Sequence, residues 1–246
     1  MKEIIIWGLR RSGNHALGSF IMRHNKDVIK NISPLKEYKS LKKSKNYLND
    51  YLKYGKISDK FPVPEPKMGD IQIISFENAG HRNTKHPEYT NILNDNSLLN
   101  FDTGRNVGRY IFVILRDPYN WFASYFNVIV GNEEEKAYMI SLWISYAKSF
   151  FLNLKNSFWF PVNYNLLCKD IDYRKKISEY IEEPFNDEGI NLIYSKASTF
   201  DKRYYQTNAQ DMDVENRWKN IPNYNKKFLD NEELYTISKE IFGVII

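Results

Sequence analysis

The segment that most constrains this chain is residues 3–17, which predicts a strand, a glycine turn and a helix in direct succession. Residues 4–6 are isoleucines, and this β-branched run ends at Gly8, as a buried parallel strand would. Apolar residues at helical spacing follow the turn. The N–H groups of such a turn and of the helix N-terminus form an anion site, and Arg10 and Arg11 add positive charge that suits phosphate.

The turn has the glycine spacing of a nucleotide-binding loop but lacks two of its functional side chains. Gly8 and Gly13 occupy the positions of the two glycines in G-x-x-x-x-G-K-[ST]. Asn14 and His15 follow, in place of the lysine that binds the β- and γ-phosphates and the hydroxyl that binds Mg²⁺. The pattern predicts a phosphate cradle for a nucleotide whose reactive group is not a γ-phosphate. The alternative is a tight turn with two solvated arginines.

Composition narrows the class of protein and its partners. The 246 residues are 42% hydrophobic and 15% aromatic, which is enough for a sizeable core. The net charge is +5, and residues 26–60 carry ten lysines against four acidic residues. A lysine run of this kind is typically a solvated face. The functional alternative is a positively charged rim that attracts an anionic acceptor. No nucleic-acid motif accompanies the charge, so nucleic acid is not an expected partner.

Cysteine usage and hydropathy predict a cytoplasmic protein. The single cysteine, Cys168, excludes an internal disulfide and follows two leucines, so it is expected to be a small core residue. The first residues lack the pattern of a signal peptide. No run of about 18 apolar residues occurs, so no membrane span is expected.

Apolar runs and helical spacing alternate along the chain and predict one α/β domain over residues 1–246. The expected architecture is a P-loop nucleotide-binding fold, with a central parallel sheet flanked by helices and a lysine-rich surface excursion at about 26–69. Asp117 and Asp230 are the expected caps of two helices. Strands are predicted at 3–8, 71–76, 110–115 and 158–164, and helices at 14–25, 35–54, 118–130, 133–155, 170–182 and 230–242.

Residues 11–17 and 113–125 together resemble the P-loop sulfotransferases, which use 3′-phosphoadenosine 5′-phosphosulfate (PAPS). In that family the first loop holds the 5′-phosphosulfate, and an arginine and a serine eight residues later bind the 3′-phosphate. Arg116 and Ser124 have this spacing. Asn14 replaces the family's threonine, which implies an amide contact instead of a hydroxyl contact. The resemblance implies that the first loop binds the nucleotide through Arg10, Arg11, Ser12, Gly13, Asn14 and His15.

Two weaker matches extend the resemblance toward the carboxyl terminus. Tyr164 begins a segment that looks like the family's Y-E-D-L, with Asn165 in place of the glutamate. The resemblance places Tyr164 on the adenine side of the nucleotide. Arg217 and Trp218 lie in a segment similar to the one that closes over the nucleotide in the family. Since the R-K-G-x-x-G loop of the cytosolic branch is absent, Arg217 is the expected substitute, with Arg203 as the alternative.

The resemblance also suggests catalytic residues. Glu77, at the end of the second strand, aligns with the family's basic histidine and is the expected general base, with His81 as the runner-up. Arg11 takes the place of the residue that contacts the bridging oxygen. His15 either hydrogen-bonds the sulfuryl oxygens or is a helix-face histidine without a role. No metal site is predicted, because the histidines lack ligand spacing.

The implied activity is transfer of a sulfuryl group from PAPS to a hydroxyl or amine of a carbohydrate or small-molecule acceptor. The acceptor pocket is expected in residues 26–69 and 81–108, because loops carry specificity. A catalytically silent protein that binds PAPS or its product PAP is the alternative from another class. A nucleotide-dependent kinase is a further alternative, against which the missing lysine after Gly13 argues.

Overall fold

A computed structural model describes residues 2–9, 11–22, 71–77, 108–126, 133–156, 159–190, 213–220 and 230–243. These residues form a four-stranded sheet of order β2-β1-β3-β4 in which every neighbouring pair is parallel. The predicted parallel sheet is therefore confirmed. The strands are β1 (Lys2–Gly8), β2 (Ile71–Glu77), β3 (Gly108–Leu115) and β4 (Phe160–Asn163).

Helices follow β1, β3 and β4, as in other α/β folds. The helix predicted at 35–54 and the lysine-rich excursion at 26–69 lie outside the described residues. A short 3₁₀ helix covers Arg217–Asn220. The α-helices are α1 (Asn14–Met22), α2 (Pro118–Phe126), α3 (Glu133–Asn156), α4 (Tyr164–Lys169), α5 (Ile171–Tyr180) and α6 (Glu232–Phe242).

The two faces of the sheet carry separate hydrophobic clusters because side chains alternate along each strand. On one face of β1, Ile5 and Trp7 pack with residues of α2, α3 and α6. On the other, Ile4 and Ile6 pack with residues of α1, α4 and α5. Helices thus cover both faces, and the apolar run of β1, residues 4–7, is buried throughout. Cys168 is buried in the second cluster, as predicted.

Capping residues set where several helices begin. Asp117 caps α2 as predicted, because its Oδ1 accepts the backbone N–H of Asn120 at 2.9 Å. The prediction that Asp230 caps the last helix was wrong: the N-cap is Asn231, whose Oδ1 accepts the N–H of Leu234 at 3.0 Å. Asparagine and aspartate cap about equally well, so composition did not distinguish the two neighbours.

The fourth strand is shorter than predicted, and a helix that was not predicted follows it. β4 ends at Asn163, and α4 begins at Tyr164, which the apolar pattern had assigned to the strand. The Asn163 side chain accepts the N–H groups of Asn165 and Leu166, so it stops the strand and caps the helix. A second cap, Asp170, then starts α5. Within the part of the chain described, no helix meets the length and apolarity needed to cross a bilayer.

Candidate functional site

The carboxyl ends of all four strands meet at one edge of the sheet. In the parallel register, Gly8 lies beside Glu77 of β2 and Ile114 of β3, and Leu115 lies beside Asn163 of β4. The turns after β1, β3 and β4 therefore leave the sheet at the same edge. This is where ligands bind in parallel α/β sheets.

The first turn, between β1 and α1, has unusual backbone angles at its described residues 11–13. The Ser12 N–H donates to the Leu9 carbonyl at 3.0 Å, and φ is +75° at Arg11 and +99° at Gly13. A positive φ at a non-glycine residue is uncommon, and such strain is concentrated at functional sites. The Ser12 Oγ is fully buried and has no hydrogen-bond partner among the described residues. The turn thus contains a buried hydroxyl to which a bound ligand would supply the missing hydrogen-bond partner.

Both glycines of this turn are required by close contacts. A Cβ on Gly8 would lie 2.1 Å from Oδ1 of Asn14, and a Cβ on Gly13 would lie 2.1 Å from the Tyr164 ring. The Asn14 side chain turns back over the start of the loop, where its Nδ2 donates to the Leu9 carbonyl at 3.5 Å. The proposed amide contact of Asn14 with a 5′-phosphate stays a prediction.

Arg116 directly follows β3, and its guanidinium is buried at this edge of the sheet. It is only 5% exposed, and its Nε and Nη2 have no hydrogen-bond partner within the described ranges. The Trp143 indole N–H donates to the Arg116 carbonyl at 3.0 Å and fixes the backbone there. A buried guanidinium with unused N–H groups is costly unless an anion supplies acceptors. Ser124, which the sequence paired with Arg116, is also buried, on α2.

Asp117, the residue after Arg116, carries a fully buried carboxyl. Its Oδ1 accepts both the backbone N–H and an amide hydrogen of Asn120, each at 2.9 Å. Burial raises the pKa of Asp117, while the Arg116 charge and the neighbouring amides of Asn120 and Asn165 act in the opposite direction. The pKa of this carboxyl is therefore raised above its ordinary value of 3.8.

Tyr164, the first residue of α4, connects the two predicted anion sites. Its ring fills the space above Gly13, and the Arg116 guanidinium carbon lies 5.0 Å from the ring centre. The ring thus packs on both the first loop and Arg116. The predicted contact of Tyr164 with adenine stays a prediction. Asn165 beside it is buried, and within the described structure its Oδ1 has no hydrogen-bond partner.

The segment 213–220 packs beside the same site, against α2. The Trp218 ring is buried in a small cluster with Ala123 and lies 5.5 Å from the ring of Tyr119. The Trp218 backbone N–H donates to Oδ1 of Asn120 at 3.1 Å. Sequence reasoning missed Asn120; its only signal was a polar residue between Arg116 and Ser124 in an otherwise apolar helix.

Several predicted site residues are placed by backbone position alone or not at all. Glu77 ends β2 beside Gly8, and His15 lies in the first turn of α1, but the described structure does not include their side chains. The same holds for the Arg217 side chain. Arg10 and His81 lie outside the described residues. Among the residues that are described, no group of three metal-ligating side chains occurs.

Comparison with known proteins gives a match by structure but not by sequence. No protein-family model matches the chain, and no curated protein matches its sequence. A sulfotransferase domain from the olefin synthase of Synechococcus PCC 7002 is similar in structure, with a TM-score of 0.53 and 14% identity over 98% of this chain and 94% of that one. A sulfotransferase domain from the curacin biosynthetic pathway gives a TM-score of 0.50 and 13% identity over 99% of this chain and 98% of that one.

These similarities establish the fold. The chain has the α/β fold of sulfotransferase domains, and the resemblance inferred from its two loop motifs is confirmed at this level. At identities of 13–14%, structural similarity shows the fold and does not show the activity.

Proposed function

We propose that this protein is a sulfotransferase that moves a sulfuryl group from PAPS to a hydroxyl or amine of a carbohydrate or small-molecule acceptor. The observation that carries the proposal is the buried guanidinium of Arg116, whose Nε and Nη2 have no acceptor in the described structure. An anionic ligand would offset the cost of burying that charge. The fold of sulfotransferase domains makes a nucleotide phosphate the favoured anion.

The site residues fit a nucleotide that carries anions at two positions. Arg116 and Ser124 would hold the 3′-phosphate, and the first loop, including Arg11, Ser12 and Gly13, would hold the 5′-phosphosulfate. The buried Ser12 Oγ and the Arg116 N–H groups are unsatisfied polar atoms near these two positions. The Tyr164 ring packs on Gly13 and Arg116, so it fixes the spacing between the two positions. When bound, PAPS supplies the activated sulfuryl group.

The remaining roles fall to side chains around the first loop. Arg11 would place positive charge near the leaving oxygen, where negative charge develops during transfer. Glu77 would accept the proton of the acceptor, and the register that sets its backbone beside Gly8 supports this role. His15 is proposed to contact the sulfuryl oxygens. A cytoplasmic location accompanies this proposal, since PAPS-dependent transfer to small molecules requires no membrane.

The test is a binding comparison between PAP and adenosine 5′-phosphate, which differ by the 3′-phosphate. We expect Arg116→Ala to weaken PAP binding by about 10- to 100-fold, because a charge-assisted contact is worth about 1.5–3 kcal/mol. Binding of adenosine 5′-phosphate should barely change. Calorimetric titration of both ligands measures the difference. Lys148→Ala is the matched control, because it removes one positive charge from a surface pair with Glu233.

Other outcomes would identify the alternatives. An equal loss for both ligands would show that Arg116 does not bind the 3′-phosphate. Tighter binding of ATP with Mg²⁺ than of PAP would favour a kinase. PAP binding without PAP release from PAPS across a broad panel of hydroxyl and amine acceptors would favour a silent binding protein.

A further inference from the structure

We propose that Asn120 is a positioning residue that fixes the segment 213–220 beside the nucleotide site, so that nucleotide affinity depends on a side chain that contacts no nucleotide. This inference rests on the proposed function and adds a residue to it. Neither the loop motif nor the Arg116–Ser124 spacing assigns Asn120 a role.

Asn120 is fully buried, and its amide joins two distant parts of the chain. The Nδ2 group donates to Oδ1 of Asp117 at 2.9 Å and to the Glu215 carbonyl at 2.8 Å. The Oδ1 atom accepts the Trp218 N–H at 3.1 Å across a sequence separation of 98 residues. Both amide hydrogens and the carbonyl oxygen are therefore used within the protein, which leaves no donor for a ligand.

The segment 213–220 has little structure of its own to hold it in place. Its only helix is the 3₁₀ turn Arg217–Asn220, and a piece this short is not stable by itself. Its ion pair, between Glu215 and Lys169, is about half exposed and contributes little. The buried Val214 side chain holds the start of the segment in the second hydrophobic cluster, and the Trp218 ring packs on Tyr119 and Ala123. The Asn120 hydrogen bonds fix the backbone between and beyond these contacts, at Glu215 and Trp218.

Asn120 also links this segment to the predicted phosphate contact. The same amide that holds Glu215 and Trp218 holds the Asp117 carboxylate, and Asp117 is adjacent to Arg116. Loss of the amide would leave the Trp218 N–H without its acceptor, which costs about 1–3 kcal/mol while that group stays buried. If the backbone around Trp218 detaches from α2, this N–H can bond to water, and the cost is avoided. The protein would then lose the segment's contribution to nucleotide affinity while Arg116 stays in place.

The experiment compares Asn120→Ala with the wild type by PAP titration and by amide hydrogen exchange of residues 213–220. We expect PAP affinity to fall about tenfold and the Trp218 amide to exchange much faster. Asn231→Ala is the matched control, because it truncates an asparagine and removes the α6 cap, at about 1 kcal/mol, without touching the segment. Asn231→Ala should change neither the PAP affinity nor the exchange rate of the Trp218 amide.

A reciprocal measurement on the wild type covers the case in which Asn120→Ala does not fold. If the docked segment raises PAP affinity, PAP must slow exchange of the 213–220 amides by the same coupling. Saturation with PAP that leaves this exchange unchanged would overturn the inference. So would an Asn120→Ala protein that exchanges faster but binds PAP within twofold of the wild type.

Failure of the inference and failure of the proposed function are distinguishable. If PAP does not bind the wild type, the proposed function fails, and the effect of Asn120 on nucleotide affinity fails with it. If PAP binds the wild type and Arg116→Ala weakens it, but Asn120→Ala does not, only the role of Asn120 is refuted.

Discussion

The contact between Gly13 and Tyr164 gives a prediction whose size follows from the structure. Gly13 has φ of +99°, and an added Cβ would lie 2.1 Å from Cδ2 and 2.4 Å from Cε2 of the Tyr164 ring. Ordinary carbon–carbon contacts are about 3.5–4.0 Å, so the ring would have to move by more than 1 Å. Tyr164 is buried, and the Arg116 guanidinium lies against its ring, so this movement disturbs both proposed anion sites.

The expected cost of Gly13→Ala has two parts. The left-handed backbone costs a non-glycine residue roughly 1–2 kcal/mol. Overpacking against a buried ring adds roughly 1–3 kcal/mol. The free energy of unfolding should therefore fall by about 2–5 kcal/mol. Urea unfolding followed by far-ultraviolet circular dichroism measures this change, with the slope of the transition as a check on two-state behaviour.

A second background separates the parts. In a Tyr164→Ala protein the collision is absent, and Gly13→Ala should then cost about 1–3 kcal/mol less than in the wild type. Equal costs of Gly13→Ala in both backgrounds would refute the packing of Tyr164 on Gly13.

Two further predictions concern proton chemistry at the carboxyl edge. Glu77→Gln should lower turnover about 10²–10⁴-fold in a PAP-release assay while leaving PAP affinity unchanged, because it removes proton acceptance but keeps the side-chain shape. An active Glu77→Gln together with an inactive His81→Ala would assign the base to His81. Burial raises the folded-state pKa of Asp117, so the stability it contributes is full below the unfolded pKa and is lost as pH rises through the folded pKa. Relative to Asp117→Asn, the wild type should lose stability from about pH 4 upward in urea titrations. A wild type that gains stability over Asp117→Asn as the pH rises would contradict the raised pKa.

The regular elements followed from local sequence because their signals are local. The isoleucine run of β1 and the apolar run of β3 predicted central strands, and both are buried between helices on the two faces. Apolar side chains in such runs need cover on both sides, so the pattern alone implied a parallel sheet. The ends of elements were less certain: α6 starts one residue later than its predicted cap implied, and β4 gives way to α4 at Asn163.

The sequence by itself determined that Gly8 and Arg116 reach the carboxyl edge, because each lies at or just after the end of a predicted parallel strand. It did not place Asn163 there, because the apolar pattern continued the fourth strand through residue 164. It did not show what those residues contact there. Only the tertiary structure placed the Tyr164 ring against both Gly13 and Arg116 and joined Asn120 to the segment around Trp218. These contacts connect residues far apart in the chain. They depend on how the helices pack on the sheet, which no local periodicity encodes.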